Sequence, residues 1–203
     1  MEMIDMFTGI VQGVGLVKDV TEHASHRTIL IEIPNVEGLQ TGASVAIDGV
    51  CLTVVSFENN DVKFDVIEET LRRTTLGQLS EGSRVNVERS LKFGDEIGGH
   101  LLSGHIMDTG EIVEVNNQGD TMDVCLNVSD EVSQYIMEKG YVAINGVSLT
   151  IGRCENNTFW LHLIPETLNL TTCDAFVVGQ MTNIEIDSTT QTIVATVKRT
   201  LGK

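Results

Sequence analysis

Positive charge is scarce in this chain. Of 203 residues, 13 are lysine or arginine against 29 aspartate or glutamate, a formal net charge of −16. A field of that sign repels phosphate backbones, so nucleic acid is excluded as a ready partner. It also weighs against a polyphosphate cofactor, and no G-x-x-x-x-G-K-[ST] loop occurs. GVGLVK, Gly13 to Lys18, holds two glycines of a dinucleotide fingerprint and lacks the third. No apolar run reaches the roughly 18 residues that would suggest a membrane span. The opening MEMIDMFTGIV has neither the basic region nor the apolar stretch of a signal peptide. Four cysteines, at 51, 125, 154 and 173, form no C-x-x-C, so reduced thiols and a cytoplasmic setting are expected. His100 and His105 have no acidic or cysteine partner at ligand spacing, and no metal site is expected.

What the chain does have is repetition, the first thing to look for in a new sequence. AIDGVCLTV (46–54) returns as AINGVSLTI (143–151), an offset of 143 − 46 = 97. At the same offset Glu58-Asn59-Asn60 returns as Glu155-Asn156-Asn157, and EETLRRTTL (68–76) answers PETLNLTTC (165–173). Gly82, Asn86 and Glu88 return as Gly179, Asn183 and Glu185. Upstream, TGIVQGVGLV (8–17) matches SGHIMDTGEI (103–112) at an offset of 103 − 8 = 95, as a two-residue loop change would produce. Two copies of one domain are therefore expected, residues 1–101 and 102–187, followed by a tail, 188–203.

Each copy reads as strand. TILIEI (28–33), SVAIDG (44–49), CLTVVSF (51–57), VKFDVI (62–67) and RVNVE (84–88) are short, rich in β-branched residues and separated by turn signals. Six or so such strands predict an all-β fold of small closed antiparallel barrels, which leave no open edge. One helical turn is expected in each copy, with Pro165 starting that of PETLNL. In the tail, Ile193, Val194, Val197 and Leu201 share one face at helical spacing, with Lys198, Arg199 and Lys203 late, where they suit the helix dipole. Such a stripe must pack against the chain's own barrel or another subunit.

Duplication lets each residue be judged by its counterpart. Cys154 stands opposite Phe57 and Cys173 opposite Leu76, so both thiols read as apolar filler. Cys51 stands opposite Ser148, both followed by Leu-Thr. A position polar in both copies within an apolar strand points to a ligand face, with a satisfied structural group as the alternative. His162 opposite Asp65 has the same character. His105, opposite Ile10, is peculiar to the seam GGHLLSGHI, where His100 follows Gly98-Gly99. A lone histidine is more often structural than catalytic, but a glycine-rich seam between barrels is where a cleft forms. His23 and His26 fall in a polar loop and are expected to be solvated. The Glu-Thr-Leu turns at 69–71 and 166–168 offer a carboxylate and a hydroxyl beside each ligand face, or else cap a helix.

MFTGIVQG (6–13), DGVCLTV, ETLRRTTLG, GDEIGGHLLSGHI (94–106), NGVSLTIG and LHLIPETL (161–168) together resemble the riboflavin synthase family of lumazine-binding proteins, from Met6 to the C-terminus. The resemblance implies two tandem six-stranded Greek-key barrels, a C-terminal helix, and a homotrimer built around such helices. It implies a cofactor-independent dismutation: two 6,7-dimethyl-8-ribityllumazine molecules yield riboflavin and 5-amino-6-ribitylamino-uracil by transfer of a four-carbon unit. Each barrel would bind one lumazine, and the active site would form between the N-terminal barrel of one subunit and the C-terminal barrel of another.

By the same resemblance Cys51 and Ser148 lie beside the rings, and His105 is a candidate proton carrier. Thr53, Thr150, Glu69, Thr70, Glu166 and Thr167 would meet the ribityl chains. Backbone groups of Gly9, Ile10 and Val11, and of Gly104, His105 and Ile106, would meet the pyrimidine edge. The implied ligand set also takes in Leu52, Asp65, Val66, Ile67, Glu68, Leu149, His162, Leu163, Ile164, Pro165 and Lys139, whose counterpart is Gly42. Non-catalytic lumazine- and flavin-binding fluorescent proteins share this fold; they bind one ligand per chain where a synthase binds two. The acidic surface is compatible with solubility or with a partner such as lumazine synthase.

Overall fold

Inward β-branched residues alternate with outward polar ones along most of the chain, and that alternation sets the architecture. The computed structural model describes residues 6–202; residues 1–5 and the tail residue Lys203 lie outside the described residues. In the first copy β1 (Gly13–Glu22), β2 (His26–Glu32), β3 (Ser44–Ile47), β4 (Val50–Glu58), β5 (Asp61–Ile67) and β6 (Arg84–Arg89) close into an antiparallel barrel in the order β1-β2-β5-β4-β3-β6. A short helix, α1 (Glu68–Arg73), joins β5 to β6.

The second copy runs β7 (Asp108–Gln118), β8 (Thr121–Asn127), α2 (Asp130–Ser133), β9 (Tyr141–Ile144), β10 (Val147–Glu155), β11 (Thr158–Leu163), α3 (Pro165–Leu170) and β12 (Met181–Glu185). Its closed order, β7-β8-β11-β10-β9-β12, repeats the first. Pro165 opens α3, as expected of a residue whose missing N–H costs nothing there. GVGLVK is the first part of β1, an ordinary strand. His26 opens β2 instead of lying in a loop, and its ring stacks on His23 with centroids 4.4 Å apart.

Each barrel has its own apolar core, around Phe64 and Ile31 in the first and Phe159 and Leu126 in the second. Cys173, like its counterpart Leu76, is fully buried in one of them. Cys154 is half-buried and packs against the edge of the second barrel's core, while its counterpart Phe57 is 38% exposed.

The two barrels meet at their β3–β4 and β9–β10 turns. Asp48-Gly49 and Asn145-Gly146 have φ of 45°, 79°, 46° and 77°, the left-handed pair that a tight hairpin of this twist demands. These turns lie back to back: a Cβ on Gly49 would stand 2.9 Å from the Gly146 Cα. Asn86 and Asn183 stitch the seam symmetrically. The Asn86 side chain donates to the Asn145 carbonyl (2.9 Å) and accepts from the Thr172 N–H (2.8 Å). Asn183 does the same with Asp48 and Thr75, at 2.9 and 2.8 Å.

The tail is the helix α4 (Ser188–Leu201), capped by Asp187 at its start and by left-handed Gly202 at its end. None of its residues is buried, and Ile193, Val197 and Leu201 are 57%, 50% and 65% exposed. Most of its apolar stripe is thus exposed, with Val194 half-buried.

Candidate active site

β4 and β10 carry the two reacting candidates. Val50, Leu52 and Val54 point into the first barrel, and Val147, Leu149 and Ile151 into the second, so Cys51 and Ser148 must point out, toward the seam. Both are half-buried. Across the ladder they face small residues, Ala46 and Ala143, which form an apolar contact with Phe7 and Leu102 at the centre of the seam.

Each barrel's outward strand is covered by a loop from the other copy. Gly9, just before β1, lays its carbonyl on the Ser148 N–H of the second barrel at 2.8 Å, and Gly104, just before β7, lays its carbonyl on the Cys51 N–H of the first at 2.9 Å. The glycines are required. At φ of 73° and 75° a Cβ would sit 2.6 Å from the Ser148 Cβ and 2.5 Å from the Cys51 Cβ. The exchange continues inward: Val11 is part of the second barrel's core, and Ile106 packs on the first's. A bridge between Phe7 and Leu102 joins the two loops.

Two buried carboxylates anchor these loops. Glu88 accepts from the Thr8 and Gly9 N–H groups, and Glu185 from those of Ser103 and Gly104. Burial pushes both carboxyls above their ordinary range against the pull of these donors.

The seam histidines fall into different surroundings. His100 Nδ1 lies 2.7 Å from Ser148 Oγ, its ring stacks on Tyr141 with centroids 5.6 Å apart, and its buried Nε2 has no hydrogen-bond partner among the described residues. Burial holds its pKa below the ordinary imidazole value, opposed by the Asp187 charge, which favours the neutral ring. His105 is exposed, and its backbone N–H donates to Ser103 Oγ at 3.3 Å. It follows Gly104, whose carbonyl meets the Cys51 N–H. His100 is thus the histidine whose ring meets Ser148, one of the two candidate reacting side chains. The sequence signal was Gly98-Gly99: a Cβ on Gly99 would lie 2.8 Å from the Ser148 Cβ, so the glycine marks a close approach. A cleft of about 480 Å³ opens beside His100, lined also by Tyr141, Ser103 and the first turn of α4.

The remaining candidates divide by orientation. Leu52, Val66, Leu149 and Leu163 are buried with the barrel cores, so only their backbone can face a ligand. Thr53, Thr150, Ile67, Glu68, Ile164, Pro165 and Glu166 are exposed, with Thr70 and Thr167 half-buried beside them. Asp65 and His162 are each satisfied across a strand pair, Asp65 by the Thr28 hydroxyl (2.6 Å) and His162 by Asp123 (2.6 Å). Glu69 is engaged by Arg72 and Arg73, which hold its carboxyl down at about 2. Glu166 has Asn169 and Leu170 at the matching places, so the two copies differ in charge here. Lys139 takes the left-handed conformation, φ 67°, that Gly42 takes in the first copy.

The lumazine binding domain model matches the chain twice, over residues 8–90 and 103–187. The chain is 48% identical over 200 residues to the riboflavin synthase of Escherichia coli (strain K12), covering 97% of this chain and 94% of that one. It is 45% identical over 199 residues to the riboflavin synthase of Chlamydia pneumoniae, covering 97% and 98%. A crystal structure of LumP complexed with riboflavin is similar at a TM-score of 0.83 and 26% identity, over 90% of this chain and 100% of that one.

Proposed function

This chain belongs to the riboflavin synthase family, with two lumazine-binding domains in one polypeptide, and from that premise we propose how its residues carry the reaction. Two molecules of 6,7-dimethyl-8-ribityllumazine bind, one against Cys51 and one against Ser148. They leave as riboflavin and 5-amino-6-ribitylamino-uracil, a four-carbon unit having passed between them. The observation that carries this reading is the reciprocal cover of the two strands: Gly9 on Ser148 and Gly104 on Cys51 make two equivalent sites in one chain. A reaction between two identical molecules needs two such sites. We take residues 1–101 and 102–187 as the two ligand-binding units and 188–203 as an assembly helix.

Bringing two flat rings into reacting register supplies most of the acceleration, since proximity is worth roughly 7–11 kcal/mol. The acidic methyl proton at ring position seven passes to the Ser148 hydroxyl as that hydroxyl gives its own to His100 Nδ1. The burial that favours a neutral ring and the 2.7 Å contact support this path. At the other site the Cys51 thiol adds to the conjugated ring, its proton passing to a ring nitrogen, and it is released as thiol by the reverse elimination once the four-carbon unit has passed, with His105 as the proton carrier. Thr53, Glu69, Thr70, Thr150, Glu166 and Thr167 hold the ribityl hydroxyls.

The two sites of one reacting pair come from different subunits of a homotrimer. The mostly exposed stripe of α4 supports such an assembly. The test is direct: mix the purified protein with 6,7-dimethyl-8-ribityllumazine, add no cofactor, and follow riboflavin by absorbance and fluorescence. One riboflavin formed per two lumazines consumed is expected; tight binding without turnover would make the chain a ligand carrier instead.

A further inference from the structure

Glu88 on β6 and Glu185 on β12 are 4% and 3% exposed, and neither forms an ion pair among the described residues. A buried carboxylate without a cation needs several donors. Glu88 Oε1 accepts from the Thr8 N–H (2.7 Å) and the Thr8 hydroxyl (2.8 Å), and its Oε2 from the Gly9 N–H (3.0 Å). Glu185 Oε1 accepts from the Ser103 N–H (2.7 Å) and hydroxyl (2.9 Å), while the Gly104 N–H is shared between its two oxygens at 3.2 and 3.1 Å. Successive N–H groups around a left-handed glycine make a nest for an anion, here filled by the protein's own side chain.

The same loops are held on their other side. The Gly9 carbonyl accepts from Ser148 and the Gly104 carbonyl from Cys51. Each loop is therefore gripped between a glutamate of its own barrel and a strand of the opposite one. The grip passes one residue further. Thr8 Oγ1 accepts the Ile10 N–H at 3.2 Å, and Ser103 Oγ accepts the His105 N–H at 3.3 Å.

We propose that Glu88 and Glu185 are positioning residues that act across the seam: Glu88, in the first barrel, sets the loop that completes the Ser148 site, and Glu185, in the second, sets the loop that completes the Cys51 site. This rests on the reading of those two places as ligand sites. Neither glutamate touches a reacting group. A carboxylate suits the role because both oxygens accept, whereas a glutamine would turn an NH₂ toward one of the loop N–H groups.

Riboflavin is the probe, because its binding needs no turnover. Titration calorimetry counts both sites, and protection of Cys51 from alkylation, read by mass spectrometry, identifies the one in the first barrel. Glu88→Gln is expected to weaken the Ser148 site about 10-fold while Cys51 protection shifts by less than about 2-fold, and Glu185→Gln to do the reverse. Thr8→Val and Ser103→Ala remove one donor from each carboxylate and should give the same crossed pattern, more weakly. They carry the test if a glutamine variant does not fold. Equal loss at both sites, loss confined to the glutamate's own barrel, or no loss would overturn the inference while leaving the two sites intact. Wild-type protein that binds riboflavin at neither place would overturn the site reading, and the inference with it.

Discussion

His100 Nδ1 stands 2.7 Å from Ser148 Oγ, a contact between the linker that follows the first barrel and a strand of the second. It couples an imidazole whose neutral form burial favours to a half-buried hydroxyl. His100→Ala should cut riboflavin formation by about 100-fold, the ordinary worth of a positioned acid–base group, with circular dichroism unchanged. In the wild type, the acid limb of the kcat/KM profile should lie below the ordinary imidazole value. A loss smaller than about 3-fold would remove His100 from the proton path.

Cys51→Ala addresses the other ring. If the thiol adds to the substrate, turnover should fall by about 100-fold or more while riboflavin still binds. Full turnover in Cys51→Ala would leave water as the nucleophile.

Asp48 and Asn145 hold the same place in the two turns of the seam, but only Asp48 can ionise. Burial pushes its carboxyl up to about 7, against the Asn86 N–H that it accepts. From about pH 4 to 7 the folded chain keeps a proton that the unfolded chain releases, so stability falls as pH rises through that window and is level above it. Asp48→Asn, which copies the second turn, should show little gain near pH 4 and a gain on the order of 2–4 kcal/mol above pH 7. Urea denaturation at several pH values measures it; a difference that does not vary with pH would contradict the assignment.

Gly104→Ala places a methyl 2.5 Å from the Cys51 Cβ at a φ of 75°. It should cost on the order of 2–4 kcal/mol in urea denaturation. A loss within about 0.5 kcal/mol would mean that the loop moves freely off the first barrel.

The stripe of α4 makes the assembly testable. Val197→Glu, at a residue that is half exposed in the chain, should leave the fold intact and lower the mass seen by light scattering below that of the proposed trimer. An unchanged mass would shift the contact to another surface.

The repeat was legible because duplication writes the same residues twice, and the strands because Ile29, Ile31 and Phe64 alternate with outward groups. β1 was harder to read. Only Gly15 and Val17 are buried along it, and an irregularity between Val17 and Asp19 breaks its alternation. The exchange of loops was hidden for a different reason. Val11 opens the first copy in sequence yet sits in the second barrel's core, and periodicity says nothing about which core a residue joins. His100 had no counterpart to be judged against, since 97 positions further on lies Val197, beyond the barrels in α4.

The back-to-back glycines at the seam also bear on how two halves of a duplicated gene drift apart. At other positions the two copies differ, as Cys51 against Ser148 and Arg72 against Asn169 attest. At Gly49 and Gly146 a side chain on either would strike the backbone of the other, so a change in one half is vetoed by its twin. That touching point is glycine in both copies, so the two halves are tied to each other at a pair of positions neither can change alone.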